Sequence, residues 1–214
     1  MGHSGDTKTD AARARLLRLL VERSYRQADT PSFRLASGKL SNFYIDCKVT
    51  TMCGDAMPLV GAAVAQLVPP EAEAIGGLTM GADWIAAATA YFCTANGRRV
   101  DAFSVRKEPK KHGLKKWIEG SARAGTRVVV IDDVVTTGGS TLDAIDRCRE
   151  EGLDVVGVVV LVDRQEEGGM EAIRQKAGAS LPLHAVFVRS DLEREWQALT
   201  MAHTAALSDP AAAR

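Results

Sequence analysis

The sequence contains no CxxC pair and no His/Cys cluster at zinc-ligand spacing, so its four cysteines, Cys47, Cys53, Cys93 and Cys148, do not outline a metal site. They read as reduced thiols that behave as small, partly buried hydrophobes. No apolar stretch is long enough to cross a bilayer. The first ten residues, MGHSGDTKTD, lack the apolar segment of a secretory signal, and a cytoplasmic location is expected. The formal net charge is zero, which excludes a chain that binds polyanions over its whole surface. Neither a recognition helix nor an RNA-binding aromatic motif is present, so nucleic acid is not the expected partner. There is no internal repeat. What remains is 214 residues with 46% hydrophobic content, enough for a real core and suited to a single domain spanning 1–214.

The most informative stretch is residues 127–141, RVVVIDDVVTTGGST. Residues 128–131 are uninterruptedly β-branched, as a strand covered on both faces requires. Asp132 and Asp133 follow. Two carboxylates deep in a core are costly, so the strand is expected to end there and leave them at the rim. Open α/β sheets bind ligands outside the carboxyl ends of their strands. Thr136, Thr137, Gly138, Gly139, Ser140 and Thr141 then offer hydroxyls and permissive backbone before a helix. Such a turn makes an anion nest, reinforced by the helix's positive end. No lysine follows the glycines, so this is not the Walker pattern.

Along the chain, helices are expected over about 10–26, 54–68, 83–95, 141–151 and 167–176, with a last one opened by a capping box at Ser190, Asp191, Leu192 and Glu193. Strands are expected over 33–36, 42–49, 74–78, 102–105, 128–131, 155–162 and 183–188. Residues 108–120 read as a loop. The alternation over about 54–180 argues for an α/β fold, a central parallel sheet flanked by helices. Residues from about 10–50, with 182–205, form a small N-terminal/C-terminal hood over the strand ends.

Charge is unevenly placed. Ten basic residues lie between Arg98 and Arg127 (Arg98, Arg99, Arg106, Lys107, Lys110, Lys111, Lys115, Lys116, Arg123 and Arg127), opposed only by Asp101, Glu108 and Glu119. A strand thus delivers cations and one histidine, His112, into a polar segment. Arg and Lys are natural partners of pyrophosphate oxygens, and a loop that closes over a charged substrate excludes water.

Residues 127–141 resemble the signature of the type I phosphoribosyltransferases, which bind phosphoribosyl pyrophosphate (PRPP). The run Arg106-Lys107-Glu108 through Lys110, His112 and Gly113 resembles the loop of the orotate phosphoribosyltransferase family. Residues 33–46, with Leu35, Ser37, Gly38, Ser41 and Tyr44, resemble its orotate-site motif, and Asp163-Arg164-Gln165-Glu166 a third. The similarity covers roughly residues 15–195. It implies transfer of the phosphoribosyl group from PRPP to orotate, giving orotidine 5′-monophosphate and pyrophosphate in pyrimidine (UMP) biosynthesis. The alternatives are a purine-base phosphoribosyltransferase and a non-catalytic regulator on the same fold.

The resemblance also assigns residues. Lys110, His112 and Asp133 are implied to be catalytic. PRPP is implied to meet Arg106, Lys107, Lys110, His112, Asp132, Asp133, Val134, Val135 and residues Thr136, Thr137, Gly138, Gly139, Ser140 and Thr141. Tyr44, Thr136 and Arg164 are implied to meet orotate. The acidic pair is implied to hold Mg2+, mainly through water. A homodimer is implied in which the loop of one subunit serves the site of the other. Two positions depart from the pattern of many members: Ala36 and Gly81 stand where those have lysine. Lys39 and Lys48 are the candidates to supply the missing charge.

Overall fold

The computed structural model describes residues 4–34, 38–109 and 116–208. A long helix, α1 (Ser4–Ser24), leads into four very short strands: β1 (Tyr25–Gln27), β2 (Phe33–Arg34), β3 (Leu40–Ser41) and β4 (Phe43–Ile45). These pair antiparallel as β1 with β4 and β2 with β3. Then come α2 (Lys48–Thr51), α3 (Met57–Ala65), β5 (Ala74–Leu78), α4 (Gly81–Ala95), β6 (Asp101–Val105), β7 (Ile118–Gly120) and β8 (Arg127–Val135). The chain finishes with α5 (Gly139–Glu150), β9 (Asp154–Asp163), α6 (Gly169–Ala177), β10 (Leu183–Val188) and α7 (Arg189–Ser208).

Six strands form the main sheet in the order β10-β9-β8-β5-β6-β7. All neighbours are parallel except β6 and β7. The valine runs explain the layering. Alternate side chains of a strand face opposite ways. Val128, Val130, Val158 and Val160 pack with Ala144, Ile145 and Cys148 of α5. Val129, Ile131, Val159 and Leu161 pack with Leu20, Val60 and Ile85 on the other side. Both faces are covered, so neither needs polar residues.

The order of strands places the site. From β8 the chain crosses through α5 to β9 on one side, whereas from β5 it crosses through α4 to β6 on the other. Neighbours β5 and β8 therefore flank a topological switch point, where the loops part and leave a crevice.

Several expectations needed correction. The central strand does not stop at Ile131. It continues through Asp132, opposite Val160, to Val135, opposite Asp163. Asp132 is consequently only 7% exposed, inside the sheet rather than on its rim. Residues 118–120, read as loop, form edge strand β7. Residues 42–49 are not one strand, because β4 ends at Ile45 and α2 begins at Lys48. The helix expected over 54–68 is confined to Met57–Ala65, with proline in its first turn. The last helix begins at Arg189, so its cap lies two residues earlier than expected. Asp191 Oδ2 accepts from the Val188 amide at 3.0 Å, while Glu193 pairs with Arg189 instead.

The N- and C-terminal segments meet. Arg13 Nη2 donates to the Val186 carbonyl at 2.8 Å, and Tyr25 sets its edge against Trp196 at 5.7 Å between centroids. The strand β10, from the segment expected in the hood, hydrogen-bonds to β9 as the outer strand of the main sheet.

Candidate active site

A cavity of about 490 Å3 opens at the carboxyl ends of β8 and β9. Its floor is the end of β8, with Asp132, Val134 and Val135. One wall is the turn Thr136, Thr137, Gly138, Gly139 and Ser140. Arg164 and Glu167 also line the cavity, with Tyr44, Ile45 and Arg34 from the short N-terminal segment.

The turn is built to meet an anion. Gly138 has φ 81°, a left-handed conformation that a side chain disfavours, and it caps α5. The first helical bond back to it is made by the Leu142 amide, 2.9 Å from the Gly138 carbonyl. The amides of Gly139, Ser140 and Thr141 thus precede the intrahelical ladder. Only Gly139 reaches a nearby acceptor, Thr137 Oγ1, at a long 3.4 Å. No acidic residue of α5 itself occupies its first turn.

The two aspartates part company because they are neighbours in a strand. Asp132 faces α5 and accepts from Thr141 Oγ1 at 2.5 Å and from the Asp133 amide at 3.0 Å. Burial pushes its carboxyl up to about 7, against the pull of the Thr141 bond. Asp133 faces the opposite way, accepts from the Val134 amide at 3.0 Å and lies 3.9 Å from Lys48 Nζ. Burial raises its pKa as well, opposed chiefly by the Lys48 charge. Lys48 is itself paired with Asp46 at 2.6 Å. A Cβ at Gly81 would fall 2.5 Å from the Asp133 carboxyl carbon, so bare backbone stands where many members carry lysine.

The second strand-to-helix turn lies between β5 and α4. Gly76 and Gly77 lie within β5, where a Cβ would strike the carbonyls of Phe103 and Ile131. They are there for close strand packing, and the turn proper is Thr79, Met80 and Gly81. Asp83 in the first turn of α4 accepts from Thr79 Oγ1 at 2.6 Å and from Ser104 Oγ at 2.5 Å.

Arg164 is 4% exposed and fixed on three sides. Its amide donates to the Val135 carbonyl at 3.0 Å, its Nε and Nη2 reach Glu166 Oε2 at 3.1 and 3.0 Å, and its guanidinium lies 4.1 Å from the centre of the Phe43 ring. Tyr44 stacks on Phe33 at 6.0 Å and lines the cavity.

Of the residues picked out in the sequence, Tyr44, Asp132, Val134, Val135, Thr136, Thr137, Gly138, Gly139, Ser140 and Arg164 converge on this cavity. Thr141 joins through Asp132. Arg106 does not line it; it bonds Glu119 at 3.0 Å and the Glu108 carbonyl at 3.2 Å at the end of β6. Lys107 is exposed beside it. Lys110, Lys111, His112 and Ala36 lie outside the described residues. Lys39 does not line the cavity and pairs with Glu167, at 2.8 Å. Arg34, Ile45 and Glu167 were not foreseen. The mark for Arg34 was its place at the start of the orotate-like segment, next to an aromatic residue.

Residues 78–194 match the model of the phosphoribosyl transferase domain. Orotate phosphoribosyltransferase of Aquifex aeolicus is 47% identical over 181 residues, covering 84% of this chain and 97% of that one. This chain belongs to the orotate phosphoribosyltransferase family. Solved members share its architecture. The Mycobacterium tuberculosis enzyme in complex with Fe(III) dicitrate superposes with a TM-score of 0.72 at 36% identity, covering 85% of this chain and 98% of that one. The same enzyme in complex with PRPP superposes with a TM-score of 0.68 at 34% identity, covering 85% and 99%.

Family membership gives the arrangement of helices around the mostly parallel sheet its precedent. It also bears on the metal. Among the described residues no group of three or more His, Cys, Asp or Glu side chains forms a cage. A buried carboxylate pair at a strand end nonetheless fits magnesium, which keeps several waters and takes substrate oxygens for the rest of its shell. Asp132 and Asp133 are the residues that would hold it.

Proposed function

We propose that this chain transfers the 5-phosphoribosyl group of PRPP to orotate, releasing pyrophosphate and forming orotidine 5′-monophosphate in UMP biosynthesis. One observation carries the reading. A single cavity is lined by a phosphate-type turn, a buried arginine and the carboxylate Asp132. That set of functions suits a phosphorylated sugar bound together with an acidic base. The names of the relatives agree with it.

The 5′-phosphate sits on the amides and hydroxyls of residues 136–141, where charge and helix end favour it. Asp132 and Asp133 meet the ribose hydroxyls and would hold magnesium. Magnesium, when bound, neutralises the diphosphate and fixes its geometry. Arg164 forks onto the orotate carboxylate, with Tyr44 and Thr136 against the ring. The orotate ring nitrogen attacks the anomeric carbon as the bond to the diphosphate oxygen breaks. That oxygen leaves with the bonding electrons. Lys110 and His112, with Arg106 and Lys107 behind them, stabilise its charge. The resemblance to the family implies that this loop acts on a neighbouring subunit's site. Lys110→Ala subunits mixed with Asp133→Asn subunits then recover partial activity; no recovery would count against sharing.

A purine base offers no carboxylate for Arg164, and a regulator has no use for both an acidic pair and a loop histidine. No helix among the described residues is long and apolar enough to cross a membrane. The deciding experiment is an absorbance assay for orotate consumption with PRPP and magnesium, omitting each in turn. Consumption of adenine, hypoxanthine or xanthine but not orotate would overturn the reading.

A further inference from the structure

Arg164 does not stand alone. Glu166 accepts from it through Oε2, and through Oε1 accepts from Arg189 Nη1 at 3.2 Å. Arg189 Nε in turn donates to Glu193 Oε1 at 2.7 Å. The four side chains form a line of alternating charge from the end of β9 to the first turns of α7. Phe43 is sandwiched into it, with the Arg164 guanidinium at 4.1 Å and that of Arg189 at 4.8 Å.

The backbone is bent to make this line. Gln165 and Glu167 both adopt φ 54°, a left-handed conformation that costs non-glycine residues on the order of 1 kcal/mol each. The bend is tied down by the Gln165 amide on Asp163 Oδ1 at 2.8 Å and by the Ser190 amide on Gln165 Oε1 at 3.2 Å. Arg164 and Glu166, two residues apart, lie together across this bend, while Gln165 turns toward Ser190. Strain of this kind persists where the surroundings over-determine it, and here the surroundings are the substrate arginine's own supports.

We propose that Arg189 is a positioning and specificity residue for the carboxylated base, acting through Glu166 on Arg164. Its role follows from charge. Arg189 occupies the second oxygen of Glu166 and is itself held by Glu193, so the carboxylate that orients Arg164 is fixed by charge on both sides. Arg164 Nη1 has no hydrogen-bond partner among the described residues and is the edge left for the ligand. This rests on the reading of Arg164 as the orotate-binding arginine, and the test separates the two.

The test is steady-state kinetics of Arg189→Gln, Arg189→Lys and Arg164→Gln, with orotate and with uracil, a pyrimidine without the carboxylate. Arg189→Gln raises KM for orotate about tenfold, the order of one charge-assisted hydrogen bond. It leaves KM for PRPP within about twofold and lowers the orotate-over-uracil preference by the same factor as KM rises. Arg189→Lys restores most of the loss, because it keeps the charge. A merely structural Arg189 would lower thermal stability without shifting that preference, and this result would overturn the proposal. Arg164→Gln decides the underlying reading. If it binds orotate normally, Arg164 is not the carboxylate arginine. If it loses orotate while Arg189→Gln does not, only the positioning role falls.

Discussion

The two strand-to-helix turns at the switch point solve different electrostatic problems. After β8, Gly138 opens a turn whose helix has no acid in its first turn. After β5, the helix begins at Gly81 and carries Asp83 in its first turn, already bonded to Thr79 and Ser104. The aspartates of β8 divide between them, Asp132 toward the first turn and Asp133 toward the second. The α5 side can hold an anion by itself. The α4 side is crowded with carboxylate and needs cations brought to it. That asymmetry matches a substrate with a permanent phosphate at one end and a departing diphosphate at the other.

The sharpest test is the pH dependence of the α5 side. The Asp132 carboxyl is raised by burial to about 7, so its protonated form is favoured in the folded state. Stability from that preference is full below the unfolded value near ~4 and is lost as pH rises through about 7. Urea denaturation of metal-free protein shows a decline over that window on the order of a few kcal/mol, flattened in Asp132→Asn. PRPP with magnesium, which needs the ionised pair, binds more tightly as pH rises across the same range. A stability profile that climbs with pH and is unchanged by Asp132→Asn would contradict the assignment.

The α4 side should fail when its imported charge is removed. Lys110→Ala is expected to lower kcat by roughly a hundredfold, about 3 kcal/mol, with thermal stability unchanged. A full-speed variant removes Lys110 from the leaving-group role and with it the need for cations at that turn.

Much of this arrangement was legible and some was not, for identifiable reasons. The runs around Val130 and Val160 announce strands covered on both faces, and residues 136–141 announce an anion turn. The position of Asp132 was misread because a carboxylate inside a sheet looks prohibitively costly. Thr141, nine residues on, and a neighbouring amide offset that cost, and strand pattern alone shows neither. The β1–β4 segments are two or three residues long, too short for periodicity, so Arg34 reached the cavity unannounced. Glu166 was visible as part of a motif. Its bond to Arg189, 23 residues away, exists only after α7 docks.

The smallest effects come from the glycines that open the two helices, and they differ in kind. At Gly138 an added Cβ meets the Gly169 carbonyl at 2.8 Å and Ile173 Cγ1 at 2.9 Å, in a left-handed conformation besides. Backbone must move, so Gly138→Ala is expected to cost about 2 kcal/mol in denaturation and to weaken PRPP binding. At Gly81 the obstacle is the Asp133 side chain, which can rotate, and alanine suits a helix better than glycine. Gly81→Ala should therefore change stability by less than about 1 kcal/mol. What it moves is Asp133, away from its place beside Lys48. If Asp133 serves the diphosphate and its metal, the magnesium needed for half-maximal rate rises about threefold, the effect of a displaced outer ligand rather than a lost one. An unaltered magnesium requirement, together with an unaltered PRPP KM, would leave the α4 turn without the cation-gathering role that distinguishes it from the α5 turn.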